Sequence, residues 1–332
     1  MQAGTATAFA QVREQRESMP CNRVTLNLIH PDPILTAYSH SLPTGLNADA
    51  SLSQAIRYVL SHPGSLHRAH LASRIAVDYG ADHNTATFLA TALEYFHTAS
   101  LIFDDLPCMD DARLRRGAAC VHLQFGQHEA ILAALALINR AYALSWQAFS
   151  ELSHSTAAKG MEYLEGRLGV AGLLAGQSAD LNYARLPHTA AVTGLVAKGK
   201  TVSLIQLSLV WPALLHGASA RELSLLERLA HCWGLAYQAA DDLKDVLHDA
   251  SETGKTSGRD VMLDRPNLTI SIGIPATANR LRRLLRIGEA NLQLLLRRRP
   301  SLGFLEDFRQ SLKAEVAALT LSCAETIQEG CA

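Results

Sequence analysis

The sequence predicts an all-α fold, a single-domain bundle of long helices packed around a central cavity. Three observations carry that reading. Apolar residues recur at three- and four-residue spacing through most of the chain after residue 48. Ala and Leu are abundant while aromatic residues make up only 6%, which favours helices over strands. No two strand-like runs are joined by a hairpin signal, and no short repeat is found.

In chain order, residues 1–45 carry Pro20, Pro31, Pro33 and Pro43 with little periodicity. They are expected to form an N-terminal extension, in part disordered. The helical domain then occupies 46–332. Its helices are expected over 48–61, 68–79, 83–103, 126–152, 156–182, 188–216 and 220–248, with two more near 275–298 and 303–328. Breakers such as His62-Pro63-Gly64, Gly80 and Gly217 separate them. Several of these segments are apolar on most faces, which places them centrally in the bundle.

Composition narrows the function classes. Hydrophobic residues make up 48% and charged ones 18%, enough for a sizeable core, and the net charge of −1 gives no sign of nucleic-acid binding. Cys21, Cys108, Cys120, Cys232, Cys323 and Cys331 form no CxxC pair, so neither a disulfide framework nor structural zinc is expected. No basic segment followed by an apolar run marks a leader, and the most apolar stretch, Val202 to Leu215, is short and contains Pro212. No transmembrane segment is expected, and the reducing cytoplasm is the expected compartment.

The chemistry lies in two carboxylate clusters. Asp104-Asp105-Leu106-Pro107-Cys108-Met109-Asp110-Asp111 ends an apolar helical run and is followed by Arg113, Arg115 and Arg116. Asp241-Asp242-Leu243-Lys244-Asp245 ends a second one, with Asp241 and Asp245 on one helix face. Four neighbouring carboxylates repel one another unless a cation compensates them. Two such clusters at the ends of buried helices suit magnesium, a hard cation that completes its shell with water and phosphate oxygens. Lys200-Thr201, Lys255 and Arg265 add positive charge that can clamp a leaving diphosphate. His97 lies seven residues before Asp104, two helical turns away, so both can face one cavity.

These residues resemble the trans-isoprenyl diphosphate synthase family, which includes farnesyl and geranylgeranyl diphosphate synthases. The similarity covers about Leu60 to Asn267: DDLPCMD at 104–110 with RRG at 115–117, GQSAD at 176–180, KT at 200–201, Tyr237-Gln238 before DDLKD at 241–245, and GKTSGRD at 254–260. The resemblance implies the isoprenoid synthase type of bundle, a homodimer, and magnesium-dependent head-to-tail prenyl transfer with three magnesium ions per diphosphate-bound site. It assigns metal binding to Asp104, Asp105 and Asp110 from one wall and to Asp241 and Asp245 from the other. Arg115, Lys200, Lys255 and Arg265 would hold the allylic diphosphate, and Arg68, His97 and Arg116 the isopentenyl diphosphate. Lys200, Thr201 and Gln238 would act at the reacting centre, Thr201 and Gln238 by turning oxygen dipoles to the carbocation.

Two positions depart from the family pattern. Ser65 stands where a lysine usually helps to hold isopentenyl diphosphate, and Ala118 where a lysine often follows RRG. The first change implies weakened isopentenyl binding, rescue by His67 or His70, or an altered role. Small Ala99 above bulky Phe96 implies a cavity deep enough for a twenty-carbon product, geranylgeranyl diphosphate. The alternatives are farnesyl diphosphate synthesis, a class I terpene cyclase and a non-catalytic modulatory subunit of a prenyl synthase.

Overall fold

A computed structural model describes residues 32–48, 50–247 and 265–314. In chain order the helices are α1 (Pro33–His40), α2 (Ser51–Leu60), α3 (His67–Asp78) and α4 (His83–Asp104). A hairpin of β1 (Leu114–Arg115) and β2 (Ala118–Ala119) leads into α5 (Val121–Phe125), α6 (Gln127–Ala148), α7 (His154–Leu168), α8 (Leu173–Leu181) and α9 (Ala190–Ala197). After a π-helical turn, Lys198–Val202, come α10 (Ser203–Leu209), α11 (Trp211–Leu215) and α12 (Ala220–Leu247). The chain continues as α13 (Leu268–Ile272), α14 (Ile274–Leu296), a 3₁₀ turn at Pro300–Phe304 and a last helix described as far as residue 314.

α4 is central because its sequence is apolar on almost every face; Leu89, Leu93, Tyr95 and Ala99 are fully buried. Asp82 starts it by accepting the backbone N–H groups of Asn84 and Thr85 at 2.8 and 3.1 Å, a cap typically worth ~1 kcal/mol. α4 packs along α6, and α12 packs along α14 around Trp233, Leu229, Leu281 and Leu292. α3 and α10 join these two halves of the core.

Four expectations are corrected. Residues 33–45 were grouped with the extension, yet Tyr38 of α1 is fully buried, its hydroxyl 3.1 Å from that of Thr98, and the Tyr95 hydroxyl donates to its carbonyl at 2.8 Å. The helix expected over 156–182 breaks between Leu168 and Leu173, where a Cβ on Gly172 would lie 2.1 Å from the Arg167 carbonyl. The helix expected over 188–216 divides at the π-turn, and again at Val210, because Pro212 has no N–H to continue the ladder. The unforeseen hairpin turns on Arg116 (φ 54°) and Gly117 (φ 79°), the paired left-handed residues of a tight two-residue loop.

Candidate active site

The first cluster is built by the end of α4 and the loop after it. That loop folds back on itself: Asp110 N–H donates to the Asp104 carbonyl at 2.9 Å and Ala112 N–H to the Asp105 carbonyl at 3.2 Å. Burial pushes the Asp104 carboxyl up to about 6; Lys200 pulls it down, while Asp110 and Asp180 push it further up. Lys200 Nζ donates to Asp180 Oδ2 at 2.6 Å. Burial works against its charge, but Asp104, Asp180 and Asp110 outweigh that and hold its pKa above the ordinary lysine value. Arg265 ties the same loop to α8, donating to Asp110 Oδ1 at 2.8 Å, the Met109 carbonyl at 2.9 Å and the Asp180 carbonyl at 3.2 Å.

Lys200 reaches this cluster because α8 and the π-turn cross at two glycines. A Cβ on Gly199 would sit 2.5 Å from the Gly176 Cα, and one on Gly176 would sit 2.6 Å from the Lys200 nitrogen. Only glycine tolerates that approach. The π-turn's next residue, Thr201, points at α12: its hydroxyl donates to Gln238 Oε1 at 2.6 Å, and Gln238 Nε2 donates to Asp242 Oδ1 at 2.8 Å. Lys200 and Thr201 thus serve the two carboxylate clusters from adjacent positions.

In the second cluster the three aspartates divide their work. Asp242 is buried and accepts the Leu268 N–H at 2.8 Å, holding the start of α13. Asp241 and Asp245, one turn apart, are only half-buried. Among the described residues no three Asp, Glu, His or Cys side chains converge as a metal cage. This donor set fits magnesium, which keeps water and phosphate oxygens in its shell, better than a cation bound by protein alone.

A second, arginine-rich group lies deeper along α4. The hairpin separates its neighbouring arginines. Arg115 Nε and Nη2 donate to Asp105 at 3.0 and 2.5 Å, while Arg116 turns the other way, with Nη2 3.6 Å from Glu94 Oε1 and Nη1 donating to the His62 carbonyl at 3.2 Å. Gly64 makes room, since a Cβ there would lie 2.8 Å from the Arg116 guanidinium. Arg68 Nη1 donates to His97 Nε2 at 3.4 Å. Burial, then Arg68, Arg116 and Arg115, hold His97 neutral, well below its ordinary pKa. Glu94 is 2% exposed, and burial raises its pKa against the pull of Arg68 and Arg116. Glu94 Oε2, His97 Nδ1 and Arg68 Nε are buried with no hydrogen-bond partner, unusual for one small region and suited to a polar ligand.

Residues 49–293 match the polyprenyl synthetase family. The chain belongs to that family. The chain is 35% identical to geranylgeranyl pyrophosphate synthase 11 of Arabidopsis thaliana over 272 residues, 80% of this chain and 74% of that one. It is 35% identical to the geranylgeranyl diphosphate synthase of Pantoea ananas over 232 residues, 69% and 75% of the two chains. Among solved structures, a geranyltransferase from Helicobacter pylori complexed with magnesium and isoprenyl diphosphate shares the isoprenoid synthase fold, with TM-score 0.70 at 24% identity over 89% of this chain and 99% of that one. As a polyprenyl synthetase, the chain carries out prenyl transfer.

The other positions singled out in the sequence lie as follows in this polyprenyl synthetase chain. Asp105, expected among the metal ligands, has both carboxylate oxygens engaged by Arg115 and is 5% exposed. Ser65 is exposed, and the His67 ring stands edge-on to Phe308, centroids 6.4 Å apart. Ala99 is fully buried, and Phe96 meets Tyr142 of α6 edge-on at 5.0 Å. Lys255 lies outside the described residues. Sequence reasoning missed Glu94, although it is the single acidic residue in the apolar run from Phe88 to Phe103, one turn before His97. It also gave no role to Asp180, which closes the GQSAD stretch and holds Lys200.

Proposed function

We propose that this chain condenses isopentenyl diphosphate with an allylic diphosphate, farnesyl diphosphate or shorter, to give geranylgeranyl diphosphate. The observation that carries the proposal is the pair of differently charged sites along one helix. His97 and Asp104 are seven residues apart on α4, about 10 Å at helical rise, so two diphosphates fit on one face. The deeper group, with Arg68, Arg116 and neutral His97, suits a diphosphate bound by cations directly. The outer group, rich in carboxylates, suits one bound through magnesium held by Asp104, Asp110, Asp241 and Asp245.

Magnesium would supply charge neutralisation and Lewis-acid pull on the departing diphosphate. Lys200 and Arg265 add hydrogen bonds to the same leaving group, with Lys255 expected beside them, and Arg115 tightens the loop through Asp105. The Thr201 hydroxyl donates its hydrogen bond to Gln238 Oε1, which leaves its oxygen lone pairs to face the developing allylic cation. The isopentenyl double bond attacks that cation, and the proton lost afterwards passes to the released diphosphate. Apolar walls keep water from the cation.

A cavity that passes small Ala99 and ends at Phe96, which packs on Tyr142, would favour the twenty-carbon product. On α6, Ile131, Leu135, Tyr142 and Trp146 (74% exposed) share one face, which supports a homodimer through that helix. The chain's scattered cysteines suit the cytoplasm. The test is incubation of purified protein with magnesium, isopentenyl diphosphate and dimethylallyl, geranyl or farnesyl diphosphate, with products read by mass spectrometry. A twenty-carbon diphosphate supports the proposal. A fifteen-carbon end product makes the chain a farnesyl diphosphate synthase, and no consumption of isopentenyl diphosphate overturns elongation altogether.

A further inference from the structure

One helix carries a charge distribution that prenyl transfer does not use. Residues 280–299 hold seven arginines and a single glutamate, in a chain whose net charge is −1. α14 buries Leu281, Gly288, Leu292 and Leu295 against the core. Its other side exposes Arg282, Arg283 and Arg286 near one end and Arg297 and Arg298 just past the other, with Ile287 and Leu294 (42% and 43% exposed) between them. At helical spacing Arg283, Ile287, Leu294 and Arg298 follow one line, so the basic stripe runs about 22 Å. Among the described residues, Glu289 and Glu306 beside it pair with Arg309, and Asp78 and Glu222 with Arg299.

We propose that this face of α14 docks the protein on an anionic lipid surface. The charge complementarity is direct: five arginines spread over a convex helix face match the diffuse negative charge of a bilayer. Ile287 and Leu294 sit in the middle of the stripe, where shallow insertion between headgroups would cover them. An acidic polypeptide would be better served by a groove, and the stripe stands on a convex helix. The docking does not depend on which prenyl diphosphate the enzyme makes.

The test uses the full chain, sedimented with neutral phosphatidylcholine vesicles and with vesicles containing about 30% phosphatidylglycerol. Binding is expected to the anionic vesicles at ~0.1 M salt and to be released at ~0.5 M salt. Changing Arg282, Arg283, Arg286, Arg297 and Arg298 together to Gln is expected to cut partitioning at least a hundredfold, at roughly fivefold per arginine. The matching Arg→Lys set should retain it, and Ile287→Ser with Leu294→Ser should cut it about tenfold. Circular dichroism and prenyl transfer in solution should be unchanged in the Gln set, which separates docking from folding. The proposal is overturned if the unmodified protein ignores anionic vesicles or binds neutral ones equally. It is also overturned if the Gln set binds as before, or if polyglutamate displaces the protein from the vesicles at equal charge.

Discussion

The two charged regions along α4 solve opposite problems with the same residue types. Around Asp104 the carboxylates outnumber the cations close to them, and Lys200 and Arg265 hold apart groups that would otherwise repel. Around His97 the cations prevail, and the single buried carboxylate, Glu94, restrains Arg68 and Arg116. A region short of positive charge recruits metal ions; one that already has it binds a phosphate directly. On the proposed function, this contrast would let one helix take two diphosphates without exchanging their places.

The largest effect that can break this comparison is expected at the metal wall. Asp104→Asn or Asp241→Asn should lower kcat by about 10³ or more, measured at saturating magnesium, because each removes charge on which the leaving diphosphate depends. Lys200→Met should cost about 10² in kcat with a smaller change in the isopentenyl KM. If the isopentenyl KM moves most instead, the two regions are not separate. Glu94→Gln should raise the isopentenyl KM roughly tenfold and leave kcat nearly unchanged, since Arg68 and Arg116 lose the carboxylate that positions them while the leaving group is untouched. Ser65→Lys sharpens the contrast from the other side and should lower that KM several-fold, because Ser65 contributes no charge to the arginine-rich region.

The smallest effect is one of stability. With its carboxyl raised to about 6 from the ordinary 3.8, Asp104 binds a proton in the folded protein over a range where the unfolded chain has lost it. Metal-free stability from this group is therefore full below the ordinary carboxylate pKa and falls as pH rises through about 6. Asp104→Asn should remove that fall and raise the metal-free Tm at neutral pH by roughly 3 °C, read by thermal melts with chelator present.

Most of the helices were legible because period and breakers agree: α4, α6, α12 and α14 lie within a few residues of their expected bounds. What was not legible depended on contacts between distant residues. The π-turn follows from Gly199 meeting Gly176 across two helices, which spacing along one helix does not reveal. The opposite aims of Arg115 and Arg116 follow from a hairpin whose left-handed turn places an arginine, not the usual asparagine, before Gly117. The aspartates were legible as clusters but not as individuals. Asp105 and Asp242 look like Asp104 and Asp241 in sequence, and only burial shows the first pair holding Arg115 and the start of α13.

The most direct test of the two-region account is calorimetric binding of isopentenyl diphosphate, with and without magnesium, to the native protein and to the Arg116→Gln and Asp104→Asn variants. The account predicts binding that needs no magnesium, survives Asp104→Asn and weakens at least tenfold in Arg116→Gln. Binding that requires magnesium, or that is lost in Asp104→Asn and kept in Arg116→Gln, would contradict it.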